Sequence, residues 1–194
     1  MTQRPDYSSA SLRIVTPREA VCSRPAMYFG DSPPADWPLI FCAWTVHELL
    51  DYATEPAKQV DLGLHHGGAL TAEVHRARLA WPAAAKAAAI EEIVQRRMWW
   101  TLLCRTSTVT VDQAGRPPGS PQRVGDQLIW EGLRIATRID LDPELFGVSA
   151  ERLWRDAVAR LRPTFATDRF RLPHGSRVKI TADADSAMSA WIES

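Results

Sequence analysis

The sequence predicts an α+β fold, a two-layer α/β sandwich. Three observations carry that reading. There are two long helical segments and a shorter one, several strand segments of the antiparallel type, and no internal repeat or coiled-coil heptad. The 194 residues suffice for one domain over 1–194 with a substantial apolar core, opened by a loose arm over residues 1–13.

Taken in order, Thr16-Pro17-Arg18-Glu19 reads as a helix start: Thr16 can cap, Pro17 suits the first turn, and Glu19 lies where a capping box needs it. That helix should end before Pro25, and the proline-rich 31–38 stretch should be a loop. A helix is expected from Trp37 to Ala57. Leu39, Cys42, Val46, Leu50 and Ala53 share its inner face, and Trp44, Glu48, Asp51, Tyr52 and Glu55 share the other. Residues 62–64 and 70–74 read as strands joined at Gly67-Gly68.

Pro82 should begin an alanine-rich helix running to Cys104, with Ile90, Ile93, Val94 and Trp100 inside and Arg96-Arg97 on a solvated face, a phosphate clamp being the alternative for that pair. Residues 106–111 alternate β-branched side chains and predict a strand. The 114–124 stretch, with Pro117-Pro118-Gly119, reads as a turn or disordered tip, followed by strands over 127–130 and 133–141. An amphipathic helix over 149–161, capped by Ser149, should place Leu153, Trp154, Val158 and Leu161 inside. Strands over 170–172 and 177–181 close the order, and Trp81 and Trp154 are the clearest core tryptophans among eight.

Lys plus Arg and Asp plus Glu both number 23, so no overall positive field gathers nucleic acid or anionic lipid, and a nucleic-acid partner is not expected. Cys22, Cys42 and Cys104 are far apart, a pattern that fits a reducing, cytoplasmic setting better than a disulfide framework or zinc ribbon. The opening residues do not read as a signal peptide, and no apolar run is long enough for a membrane-spanning helix.

Two motifs stand out: Arg24-Pro25-Ala26-Met27-Tyr28-Phe29-Gly30, and His47-Glu48-Leu49-Leu50-Asp51-Tyr52. The pair resembles the ATPase domain of the gyrase B type, found in DNA gyrase and its topoisomerase relatives, the GHKL or Bergerat fold. Ile139 to Gly147, with Asp142-Pro143-Glu144 and Phe146, is similar to a segment that ends the family's sheet. The resemblance implies a mostly antiparallel mixed sheet with helices on one face and a nucleotide between the layers. It also implies Glu48 as general base, Asp51 as the acid three residues on, and a homodimer built through an N-terminal arm, here Met1 to Arg13.

The family's nucleotide motifs are altered. Its magnesium-holding Asn falls on Tyr52, a poor ligand for a hard cation. Its Asp-x-Gly-x-Gly falls on Val74-His75-Arg76-Ala77-Arg78, and its glycine-rich lid on Gln95 to Trp100. Large side chains stand where backbone amides should cradle phosphates. ATP hydrolysis of the usual kind is therefore not expected, and no cofactor is implied.

What remains is a candidate pocket with Glu48 and Asp51 as acid/base residues. Trp44, His47, Tyr52, Glu55, Trp99 and Trp100 are its candidate ligand contacts. Read from the residues alone, Glu48, Asp51 and Glu55 equally suit an ordinary wet helix face. His47-Glu48-x-x-Asp51 is also a variant of a zinc motif, with His65, His66 or His75 as third ligand, but the gyrase pattern explains the same residues without a metal. The expected function is small-molecule binding, or cofactor-independent acid/base catalysis of the isomerase, cyclase or lyase type. The alternatives are an inactive pseudo-ATPase acting through protein partners and an unorthodox ATPase.

Overall fold

A computed structural model describes residues 15–55, 58–85, 89–142, 157–182 and 188–194. The expected cap is present: the Glu19 amide donates to the Thr16 hydroxyl at 3.2 Å, and the Thr16 amide donates to the Glu19 carboxylate at 2.9 Å. Helix α1 (Pro17–Ser23) stops ahead of Pro25, which opens the short helix α2 (Pro25–Phe29). Gly30 then turns the chain at φ +63°, in the region that favours glycine. The 31–38 stretch is only partly loop. A 3-10 turn (Pro34–Asp36) leads straight into α3 (Trp37–Tyr52), with Pro38 in the first turn where its missing amide costs nothing.

Helix α3 ends at Tyr52, not at Ala57. Ala53 adopts an extended backbone (ψ 138°) and bridges Ala77, so sheet pairing captures the chain before another helical turn forms. The Thr54 hydroxyl donates to the Arg76 carbonyl at 2.5 Å and reinforces the junction. The helix is also less two-faced than expected, because Trp37 to Ala43, Thr45, Val46, Leu49, Leu50 and Tyr52 are all buried. Sheet strands cover one side, and aromatic side chains and a later helix cover others.

The strands are β1 (Lys58–His65), β2 (Ala69–Pro82), β3 (Thr106–Asp112), β4 (Gln122–Val124), β5 (Gln127–Asp140), β6 (Ser176–Ala182) and β7 (Met188–Glu193). They form one sheet in the order β3-β5-β2-β1-β6-β7, with β4 also on β5. The β1–β6 pair is parallel and the other pairs are antiparallel. Strands β1 and β2 meet at Gly67-Gly68, both at positive φ, as the sequence predicts.

Alternation puts Val60, Leu62, Leu64, Leu70, Val74, Ile135, Ile139, Val178 and Ile180 in the core. Helix α3 packs on β1 and β2, helix α4 (Ile90–Arg97) on β3, and helix α5 (Ala157–Ala166) on α3. The mixed, mainly antiparallel sheet with its helical layer is the predicted α+β sandwich. Alternate residues such as Asp61, Thr71, Glu73, Thr108, Arg134 and Arg138 line a cleft of about 480 Å³ on the other side of the strands.

Several boundaries differ. Pro82 does not start a helix: Leu79 to Pro82 continue β2 against Gln127 to Trp130, and the helix proper begins at Ile90. It ends at Arg97, and a 3-10 turn (Trp99–Leu103) follows. The two strands expected over 127–141 are one strand, bent at Gly132 where φ is +66°. Residues 170–172 are not a strand, although Phe170 and Leu172 are buried. Trp81 is only half-buried, at the sheet margin. Helix α5 runs beyond Leu161 and through Pro163. Ser149, Leu153, Trp154 and the arm over 1–13 lie outside the described residues.

An aromatic cluster joins the first motif to α3. Phe29 is fully buried, stacked on Trp37 with ring centroids 4.3 Å apart, and it also meets Phe41 and Trp44. Truncating it removes a large ring from a site that a single short helix cannot refill. Phe29→Ala is expected to cost about 3–5 kcal/mol, read as a lowered urea midpoint. A change below about 1 kcal/mol, within the range of an ordinary surface substitution, would mean that the cluster is not part of the core.

Candidate functional site

Glu48 and Tyr52 stand one turn apart on the last two turns of α3, so their side chains rise on the same side. Both are withdrawn from solvent: the Glu48 side chain is 12% exposed and Tyr52 is 2% exposed. The group that covers them is Arg97, the last residue of α4. Its Nε lies 2.9 Å from Glu48 Oε1, an Nη lies 3.7 Å from Asp51 Oδ2, and its guanidinium carbon is 5.1 Å from the Tyr52 ring centroid. One cation thus faces two carboxylates and a phenol ring.

The fit is incomplete. Arg97 Nε comes within ion-pair range of Glu48 Oε1, and the Tyr52 hydroxyl lies within interaction reach of Glu48 and Arg97, yet among the described residues neither Glu48 Oε1 nor that hydroxyl makes a well-aligned hydrogen bond. Tyr52 ionises with difficulty. Burial is the main cause, the adjacent Glu48 carboxylate adds to it, and Arg97 opposes it. The phenol therefore stays protonated throughout the physiological range and is available as a hydrogen-bond donor.

The other candidate residues fall in different places. Asp51 is 63% exposed and, among the described residues, pairs with Arg97. Glu55 leaves the group, because the helix has ended: it lies 68% exposed in the following turn and faces Lys58 Nζ at 3.5 Å. His47 points to another side of α3, between Phe165 and Phe170, and its Nε2–H donates to the Phe170 carbonyl at 2.9 Å. Trp44 and Trp100 are 6.0 Å apart in the aromatic cluster, and the Trp100 indole donates to the Thr45 hydroxyl at 3.2 Å. Trp100 is thereby a core residue. Trp99 opens the 3-10 turn, and its side chain lies outside the described structure.

The zinc variant finds no support in placement. His65 Nε2 bonds to the Thr71 hydroxyl, and His75 faces Glu73 and Asp61 on β2 and β1. Among the described residues no group of three His, Cys, Asp or Glu side chains is placed to hold a metal ion. The residue that sequence reasoning missed is Arg97. Arg96 and Arg97 read alike in sequence, yet Arg96 pairs with Glu92 along its own helix while Arg97 turns inward onto Glu48. Only the tertiary placement of α4 separates them.

This architecture defines an α+β domain, a mainly antiparallel mixed sheet with a helical layer, with Glu48 and Asp51 on the central helix. No family model matches the chain, and no curated protein matches it. Among solved structures it is similar to the 43K ATPase domain of Thermus thermophilus gyrase B in complex with an aminocoumarin. The TM-score is 0.55 and the identity 17%, covering 92% of this chain and 51% of that one. The chain therefore spans about half of that structure, and a likeness at this identity shows the shared fold.

The buried phenol makes a pH-dependent prediction. An unfolded tyrosine ionises near pH 10 and the folded Tyr52 well above it, so the unfolded state releases its proton first and stability falls as pH rises beyond about 10. Tyr52→Phe should flatten that decline, and at pH 7 it should be neutral or stabilising by up to about 1 kcal/mol, since it deletes an unpaired buried hydroxyl. Cys42 and Cys104, both pushed up to about 12 mainly by burial, contribute equally to both proteins and cancel. Parallel alkaline limbs in urea unfolding of the two proteins would refute the assignment.

Proposed function

We propose that this chain is a gyrase-B-like domain withdrawn from the ATPase cycle, and that it binds a small molecule at the Glu48–Tyr52 face of α3. The single observation behind this reading is the contact of Arg97 with Glu48, Asp51 and Tyr52 together. In the resembling family that helix face looks toward the nucleotide. Here an arginine neutralises the candidate base and a buried phenol stands where a magnesium ligand is expected. Glu48 faces a guanidinium at 2.9 Å, a position that suits an anionic anchor for a ligand. Acid/base catalysis then requires Arg97 to move aside.

The closed state of the same site supports a second reading, an inactive pseudo-ATPase that acts through protein partners. The two differ in whether anything small can enter. The solved neighbour was captured with an aminocoumarin, so an aminocoumarin is a reasonable first probe of entry alongside nucleotides.

A thermal-shift titration separates the readings. With ATP or a non-hydrolysable analogue at millimolar concentration, with and without magnesium, no shift is expected. A ligand at a hundred times its dissociation constant would add about 2.7 kcal/mol, well within detection. A magnesium-dependent rise in Tm would overturn the proposal and restore a nucleotide-driven machine. A shift with an apolar planar ligand that is weakened by Glu48→Gln would support it.

A further inference from the structure

We propose that Glu48, Asp51 and Tyr52 form a cage for a guanidinium-bearing small molecule, and that Arg97 fills it in cis as a displaceable stand-in. The inference rests on the small-molecule reading above and names its ligand class. Two carboxylates at i and i+3 on α3 and the face of a phenol ring already surround one guanidinium, the arrangement that organic cations select.

The resident cation uses this cage poorly. A planar guanidinium can give a carboxylate two parallel hydrogen bonds, but the Arg97 approach to Glu48 through Nε makes none that is well aligned, and among the described residues neither Glu48 Oε1 nor the Tyr52 hydroxyl has a well-aligned hydrogen-bond partner. The reason lies in the tether. Arg97 is the terminal residue of α4, followed by Met98 with a non-helical backbone, and that anchorage fixes the direction from which its stem approaches. A free guanidinium has no such restraint and can align with Glu48. Arg97 itself is 46% exposed, so its exit to water needs no opening of the core. One cation against two carboxylates also leaves the cage net negative, which favours a ligand carrying a second positive charge.

The test uses Arg97→Ala, with Arg97→Met as a second variant that keeps the apolar stem if alanine fails to fold. Each folded protein is titrated with ethylguanidinium and agmatine at low millimolar concentration, by calorimetry and by thermal shift, with butylamine and urea as controls. The cage predicts saturable binding to the Arg97 variants, tighter than to the wild type by about tenfold and weakened by a similar factor when Glu48→Gln is added. Agmatine should exceed butylamine.

The proposal is overturned if folded Arg97 variants bind neither guanidine, if Glu48→Gln leaves binding unchanged, or if butylamine and urea match agmatine. Stronger binding of a capped arginine peptide than of agmatine would overturn the small-molecule source and assign the cage to a partner's arginine. A magnesium-dependent nucleotide shift in the wild type would instead defeat the function proposed above. That result is read without any guanidine, so the two failures are distinguishable.

Discussion

The burial of α3 is the constraint on which the rest of the structure depends. A helix wetted on one side can present carboxylates at no cost, but this helix is enclosed by β1, β2, α5 and the Phe29–Trp37–Trp44–Trp100 aromatic cluster. A buried carboxylate in such a place needs a cation or it destabilises the fold. Arg97 meets that need, and its placement requires α4 to stop just there and the chain to turn through Trp99 to Leu103 into β3. The closed site and the local path of the chain are therefore one solution to one electrostatic problem.

The polar side of the sheet behaves differently. Arg134 donates to both Glu73 oxygens at 2.7 and 2.6 Å and to Asp112 at 2.9 Å, which holds the Asp112 carboxyl below its ordinary range. Here the charges satisfy one another across neighbouring strands, the arrangement a solvent-facing sheet surface favours. At the Glu48 site two buried polar atoms lack a well-aligned hydrogen bond among the described residues. An incompletely satisfied cluster beside the core thus stands against a satisfied one at the surface.

Much of the fold was readable from the chain because local chemistry dictates it. The Thr16–Glu19 capping box, the Gly67-Gly68 reversal and the β-branched alternation of Thr106 to Asp112 each act within a few residues. The failures occur where distant pairing overrides local preference. Alanine content and Pro82 argue for a helix, yet Gln127 to Trp130 draw Leu79 to Pro82 into a strand. Ala53 continues the helical pattern, yet Ala77 ends it. At the site, Glu48 and Tyr52 were placed by helical spacing, whereas Glu55 was lost with the helix end and Arg97 was hidden by its likeness to Arg96.

That division separates what holds the layers together from what shapes the proposed site. The layers depend on apolar alternation, a cap, a few turns and the Phe29 cluster, none of which involves Glu48, Asp51 or Arg97. A magnesium-triphosphate site calls for other features: small residues that admit phosphates and an oxygen ligand for the metal. Arg97 and Tyr52 instead set a cation and an aromatic ring beside Glu48 and Asp51. An anionic triphosphate would approach Glu48 and Asp51 against like charge, and a cation would not. Under the function proposed above, the two carboxylates on α3 therefore select a positively charged ligand.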